Sequence, residues 1–332
     1  MKKLILLPLI ILALIPPLVL NIPMVESRLW TWLILLAGFA GLYTIFLNIN
    51  IWVKIITIYL FSSCFFSSAI YFAFTAYISY IACLYYYILS LRFMDWKLVK
   101  KALLIILLLN GILLCMQILN CDTLLNFGLK DNKTSGVVGN FMNLKSLIII
   151  LIAFLISYLN ITIKNIKAWG VLIGTIIFIA IITYNIDHKV FMYFPIIRGK
   201  VWLETIRLTA YNGTTAFLGW GLGCFKITFN QIAKIGVAKY EGSWLTPHNC
   251  WLQILYETGF IGFTLVLLYA VDLFHRLIAN KLYSMVIGLS LICADMMVHF
   301  PDRRISTVFL IIAFLAFCEY KIKESLCQRQ QL

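Results

Sequence analysis

Apolar residues run through this chain in long blocks, and polar residues collect in the stretches between them. A helix that crosses a bilayer needs about 20 consecutive apolar residues. Met1-Lys2-Lys3 followed by LILLPLIILALIPPLVL begins like a signal peptide, but no small-x-small cleavage site follows. It reads as an uncleaved first span over roughly 4–20, and the second covers about 29–47. From Ile51 to Leu91 the sequence is almost wholly apolar, too long for one crossing. Ser62, Ser63, Ser67 and Ser68 mark the turn between spans three and four. Span five follows at about 102–119, six at 144–163, seven at 168–183, eight at 259–274 and nine at 282–300; a tenth ends near Glu319. The pattern predicts an all-α, polytopic transmembrane protein of about ten spans, with residues 1–332 forming a single integral membrane domain.

One interruption is much longer than the rest. Between spans seven and eight, residues 184–257 form a polar island that contains RGKVWLETIR (Arg198 to Arg207), GWGLGCF (Gly219 to Phe225) and PHNCWLQILYETG (Pro247 to Gly259). Apolar runs on both sides exclude a linker between soluble domains. A large loop with short helices, held between membrane spans, is the first place to look for function.

Composition strengthens the membrane reading. The chain is 63% hydrophobic and 12% charged, where soluble domains carry about 25% charged residues. Such an excess of apolar surface needs lipid to cover it. A formal charge of +14 raises the question of nucleic acid. The basic residues are dispersed between hydrophobic spans, however, not gathered along one exposed helix, and nucleic-acid binding is excluded on that ground. The nine cysteines are scattered without a CxxC, mostly inside apolar runs where they act as small hydrophobes. Cys224 and Cys250 both lie in the island and could pair in an oxidising space.

Charge also orients the chain, because short cytoplasmic loops carry the excess of Lys and Arg. With the N-terminus inside, the short inner segments hold fourteen such residues, running from Lys2 and Lys3 through Arg92, Lys97, Lys100 and Lys101 to Lys323 and Arg329. The short outer segments hold six: Arg28, Lys130, Lys133, Lys145, Arg303 and Arg304. Both termini are therefore expected in the cytoplasm, and the island outside, facing the periplasm. The island itself carries seven basic residues against three acidic ones before Glu257. Such a surface at the lipid boundary either attracts anionic head groups or is simply solvated.

Several residues of the island can carry chemistry. Lys200 to Tyr211 is free of Gly and Pro and reads as a short helix, with Arg198 and Trp202 spaced to share a face. Arg suits bidentate phosphate contact, and Trp suits the interface; the two could equally form a cation–π anchor. GWGLGCF is neither a dinucleotide fingerprint nor a P-loop, and reads as a tight turn that brings backbone close to a substrate. His248 directly precedes an apolar helix, where the positive end of the helix dipole favours the neutral imidazole. A neutral imidazole can accept a proton from a sugar hydroxyl; the other role open to it is to cap the span. Ahead of span six, SGVVGNFMNLKS places Asn140 and Asn143 where their amides can bond sugar hydroxyls or cap a helix. His188 and His299, even with Asp187, Asp295 and Asp302, show no metal-ligand spacing, and no serine or cysteine nucleophile signature occurs. Neither a metal nor another cofactor is expected.

Taken in order, these stretches resemble the O-antigen ligase and polymerase superfamily of bacterial polytopic glycosyltransferases, which includes O-oligosaccharyltransferases. GVVGNFMN is similar to its GxxGNxN element. RGKVW followed by GWGLGCF is similar to its Arg-x-x-x-Trp helix and glycine turn. PHNCWLQILYETGFIG is similar to its His-Asn element running into Glu-x-Gly-x-x-Gly, here His248, Asn249, Glu257, Gly259 and Gly262. The likeness covers roughly 135–265. It implies an enzyme of the inner membrane that takes a glycan from an undecaprenyl-pyrophosphate donor. Its acceptor would be another lipid-linked glycan, lipid A core or a protein hydroxyl. By the same likeness His248 would deprotonate or orient the acceptor, and Arg198 would bind pyrophosphate. Arg207 would be a second contact, in competition with Lys226, Arg303 and Arg304. Trp202, Asn249, Asn140, Asn143 and Glu257 would complete the substrate site. A polyisoprenoid-glycan flippase is the alternative; it predicts inverted repeats and charges near mid-membrane, whereas here the polar mass lies in one loop.

Overall fold

The computed structural model describes residues 43, 46–118, 141–158, 190–233, 246–298 and 305–331. These residues are helical apart from turns, and no strand occurs among them. In chain order the helices are α1 (Ile51–Cys64), α2 (Ile70–Phe93), α3 (Trp96–Ile118), α4 (Phe141–Ser157), α5 (Val190–Thr209), α6 (Gly213–Leu218), α7 (Phe225–Ile232), α8 (Cys250–Ala279), α9 (Tyr283–Val298) and α10 (Ile305–Gln330). The all-α class is thus observed. Two helices, α2 and α8, are long and apolar enough to cross a membrane, while α1, α9 and the 146–157 part of α4 are apolar but shorter. The expected spans one and seven, and nearly all of span two, lie outside the described residues.

Local signals explain most helix ends. The apolar run from 51 to 91 does break into two helices, at 65–69, next to the serines. Asn50 caps α1 by accepting the Trp52 N–H at 2.8 Å. Asp95 caps α3 by accepting the N–H groups of Lys97 and Leu98 at 3.0 and 3.3 Å. That cap corrects the expected start at 102: the exposed Lys97, Lys100 and Lys101 form the first turns of α3 instead of a loop before it. Likewise α10 continues past Glu319 to Gln330, and Lys321 and Glu324 pair along the extension. The helix expected from Lys200 begins at Val190 and absorbs Pro195 and Gly199.

The chain divides into two compact units, one comprising Met1–Asn21, Cys83–Trp169 and Phe274–Leu332, the other Ile22–Ala82 and Gly170–Leu273. In the first, Leu147, Ile150, Leu151 and Phe154 of α4 are buried. Phe154 meets Phe314 edge-on at 5.1 Å, and Tyr158 lies against Phe317 at 4.6 Å. Here α9 passes close to α4: a Cβ on Gly288 would stand 2.8 Å from the Ala153 carbonyl oxygen. Arg276 donates two hydrogen bonds to the Glu319 carboxylate, at 2.7 and 2.6 Å. In the second unit α1 and α8 run antiparallel. Asn50 donates to Asp272 at 3.2 Å near one end, and Tyr59 to the Thr258 carbonyl at 2.5 Å near the other.

The Arg276–Glu319 pair is the main ionic contact of the first unit's described core. Because the Glu319 side chain is only 7% exposed, Glu319→Ala leaves a guanidinium poorly solvated. The expected loss is about 2–3 kcal/mol, and Arg276→Met/Glu319→Leu should recover most of it. Thermal unfolding of the purified variants measures both; equal loss in single and double variants would refute the account.

Candidate functional site

The island's described residues belong to the second unit, and its frame is a broken helix. Gly259 interrupts α8 with φ 64° and ψ −173°, a conformation essentially restricted to glycine. The segment 250–258 therefore ends as a helix end does, with its last carbonyls lacking intrahelical donors. Three of them find donors elsewhere in the chain. The Tyr256 carbonyl accepts the Trp220 N–H at 3.0 Å, and the Glu257 carbonyl accepts the Gly221 N–H at 3.0 Å. The Thr258 carbonyl accepts the Tyr59 hydroxyl.

The GWGLGCF turn thus docks on the helix break. Gly219 (φ 77°, ψ −177°) occupies the same glycine-only region as Gly259. A Cβ on Gly219 would lie 2.4 Å from the Glu257 carbonyl carbon, and one on Gly259 would lie 2.4 Å from that of Phe217. Each glycine is needed because the other strand of backbone fills the space where a side chain would go. The sequence expectation of a tight turn is met, but what the turn approaches is the protein's own backbone.

Glu257 braces this crossing. It is buried; its Oε2 accepts the Gly223 N–H at 2.7 Å, and its Oε1 accepts from Gln253 Nε2 at 3.1 Å. Charge-assisted bonds to backbone N–H groups are the strong kind. An aromatic core lies alongside. Trp220 stacks on Tyr256 at 6.0 Å, Phe225 meets Tyr256 edge-on at 5.0 Å, and Val201 and Leu208 of α5 are buried in the same cluster. Trp220 Nε1 donates to the Leu208 carbonyl at 2.9 Å, and the Tyr256 and Thr228 hydroxyls share a bond of 2.8 Å. The serine turn closes the group from another side, since the Ser68 hydroxyl donates to the Trp220 carbonyl at 2.9 Å.

At the start of α8, Asn249 is the helix cap: its Oδ1 accepts the Leu252 N–H at 3.0 Å. His248 stands one residue earlier, with its own N–H directed to Thr246 Oγ1 at 3.3 Å. Its φ is 54°, a left-handed backbone that costs a non-glycine residue on the order of 1–3 kcal/mol. Trp202 holds the residue before it, since its Nε1 donates to the Pro247 carbonyl at 2.8 Å. Arg198, half-buried, lies one turn before Trp202 and hence on the same side of α5.

The structure therefore gathers Trp202 and the His248–Asn249 turn directly, with Arg198 a turn away. It ties Glu257 to the glycine loop and Asn249 to the cap. Arg207 is held by Glu204 through bonds of 2.8 and 2.5 Å, which keep its guanidinium firmly protonated. Lys226 lies 5.7 Å from the Phe72 ring. No disulfide joins Cys224 and Cys250; Cys224 instead contacts Ser67 Oγ at 3.3 Å, and burial pushes its thiol above the ordinary range. Among the described residues no three His, Cys, Asp or Glu are grouped to hold a metal. Asn140, His188, His299, Arg303 and Arg304 lie outside the described residues, as does the side chain of Asn143. Sequence reasoning missed Gln253 and Tyr59, and took Ser67 and Ser68 only for a turn; no local signal pairs them with residues so distant in the chain. Comparison with family models, with curated proteins and with solved structures found no match to this chain.

Two tests follow from this geometry. Gly219→Ala and Gly259→Ala should each destabilise the chain by more than about 3 kcal/mol. Gly213→Ala, with open space around it, should stay within about 1 kcal/mol of wild type. Unfolding midpoints decide, and similar values for all three would refute the crossing. In the same measurement His248→Gly should exceed His248→Ala by about 1 kcal/mol, because glycine relieves the positive φ. Equal stabilities would show that the turn is unstrained.

Proposed function

We propose that the chain is a polytopic glycosyltransferase of the bacterial inner membrane, of the O-antigen ligase and polymerase type. It would transfer glycan from an undecaprenyl-pyrophosphate donor to a sugar or protein hydroxyl on the outer face. The observation that carries the proposal is the turn at His248. A strained imidazole-bearing residue is fixed from one side by Trp202 through Pro247, and from the other by the Asn249 cap. Strain of this kind persists where a side chain must be aimed.

Other features support the membrane setting. On α8 the residues Phe260, Ile261, Leu267, Leu268 and Val271 are exposed and recur with helical spacing, an apolar face suited to lipid. Antiparallel α1 and α8 fit a ten-span scheme with cytoplasmic termini, in which the two cross in opposite directions. The same scheme puts the serine turn and the island on one face, in keeping with the Ser68–Trp220 contact.

In the proposed step His248 accepts the proton of the acceptor hydroxyl as that oxygen attacks the anomeric carbon. A new glycosidic C–O bond forms, and the bond from the anomeric carbon to the pyrophosphate oxygen breaks. The electron pair leaves with the lipid pyrophosphate, whose growing charge Arg198 stabilises. Arg207, engaged with Glu204, is assigned to the integrity of α5.

Reconstitution with a lipid-pyrophosphate glycan and candidate acceptors tests this reading. His248→Ala should lower transfer by about 10²–10⁴-fold, and Arg198→Ala by about 10²-fold. Arg207→Ala should remain within about tenfold of wild type, since its guanidinium is partly exposed and engaged with Glu204 rather than with substrate in this reading. Wild-type transfer by His248→Ala would overturn the mechanism.

A further inference from the structure

A second cationic site lies in the other unit, remote in sequence from the island. The end of α2, the start of α3, the end of α4 and the later turns of α10 enclose an open cavity of ≈ 770 Å³. Sites for small ligands commonly span about 300–1,000 Å³. Five cationic side chains line this one (Arg92, Lys97, Lys100, Lys101 and Lys321), against two acidic ones. Both acids are engaged. Asp95 caps α3 through backbone N–H groups, and Glu324 accepts from Lys321 at 2.5 Å. Among the described residues Arg92, Lys97 and Lys101 have no ion pair.

A further observation points to the ligand. Beyond the lysines, Leu104, Ile105 and Leu108 of α3 are 45%, 57% and 63% exposed. At positions 97, 101, 104 and 108 the lysines and these apolar residues follow one another along one face of the helix. A free phosphate could use the cations, but it would leave the apolar stripe uncovered.

We propose that this cavity binds the phosphodiester head group of an anionic phospholipid. Arg92, Lys97 and Lys101 surround the phosphate, and an acyl chain runs along Leu104 and Leu108. The proposal rests on the membrane setting but not on glycan transfer.

The test uses the full chain in neutral detergent, titrated with dihexanoyl phosphatidylglycerol, with dihexanoyl phosphatidylcholine or with inorganic phosphate, and followed by thermal shift. Phosphatidylglycerol should bind saturably and the other two should not. Lys97→Gln/Lys101→Gln, and separately Arg92→Gln, should weaken that binding at least tenfold, whereas Lys323→Gln, outside the cavity, should leave it unchanged. Equal responses to the two lipids, or unaltered binding by the lysine and arginine variants, would overturn the site. A response to inorganic phosphate equal to that of phosphatidylglycerol would overturn the lipid assignment. Liposome flotation separates the causes: a chain that does not float refutes the membrane setting and this site together. A chain that floats yet binds no phosphatidylglycerol refutes this site alone.

Discussion

Two glycines far apart in sequence stand on each other's backbone, and the described part of the polar island depends on that crossing. The break at Gly259 strips the end of a helix of its internal hydrogen bonds, and an unpaired buried carbonyl costs about 1–3 kcal/mol. The break is tolerable only because the 219–221 backbone arrives with N–H groups at the right spacing. That approach is so close that Gly219 can bear no side chain, and Gly259 is under the same restriction from the other strand. Neither segment would adopt its conformation without the other.

The surrounding polar residues make sense once the crossing is in place. A carboxylate as buried as Glu257 needs strong partners, and it has them in the Gly223 N–H and the Gln253 amide. Trp220 and Tyr256, neighbours of the paired glycine and carboxylate, stack on each other because the backbone bonds that join the segments set their spacing. The serine turn adds donors to the Trp220 carbonyl from a third direction. Polar chemistry in this loop is therefore largely internal, and holds irregular backbone in place where a helix or sheet ladder is missing.

This division explains what could be read from the sequence. Helix class and the break at the serines follow from local pattern, and local pattern is visible in one chain. The same pattern offers His248 as the cap at the start of α8, whereas Asn249 makes it. GWGLGCF announces a turn, since glycines at that spacing have few other uses. It does not announce the partner, because the contact with Glu257 joins residues that no periodicity relates. Glu257 and Arg207 illustrate the cost. In a loop rich in charge, a brace and a substrate contact have the same appearance; what the structure adds is the bond of Glu257 to Gly223 and that of Arg207 to Glu204. The start of α3 was obscured for the opposite reason. Lys97, Lys100 and Lys101 look like the end of an apolar run, yet lysine is a good helix former and Asp95 caps the helix ahead of them.

The helical segment 250–258 joins these parts into one device. It is about 13 Å long at 1.5 Å per residue. One end is capped by Asn249, next to His248, and the other is seated in the glycine crossing through Glu257. So short a helix would be marginal alone, and here it is secured at both ends. Trp202 then fixes the turn that precedes it, through a helix whose Val201 and Leu208 share a core with Tyr256 of the same segment. The backbone of His248 is thus determined from two directions that trace back to one aromatic core. This arrangement accounts for a histidine held at positive φ: the energy that resists relaxation comes from the crossing and its core, remote from the imidazole itself. In the proposed mechanism the proton acceptor sits in a loop, which has no ladder of its own, and that kind of support is what would hold it.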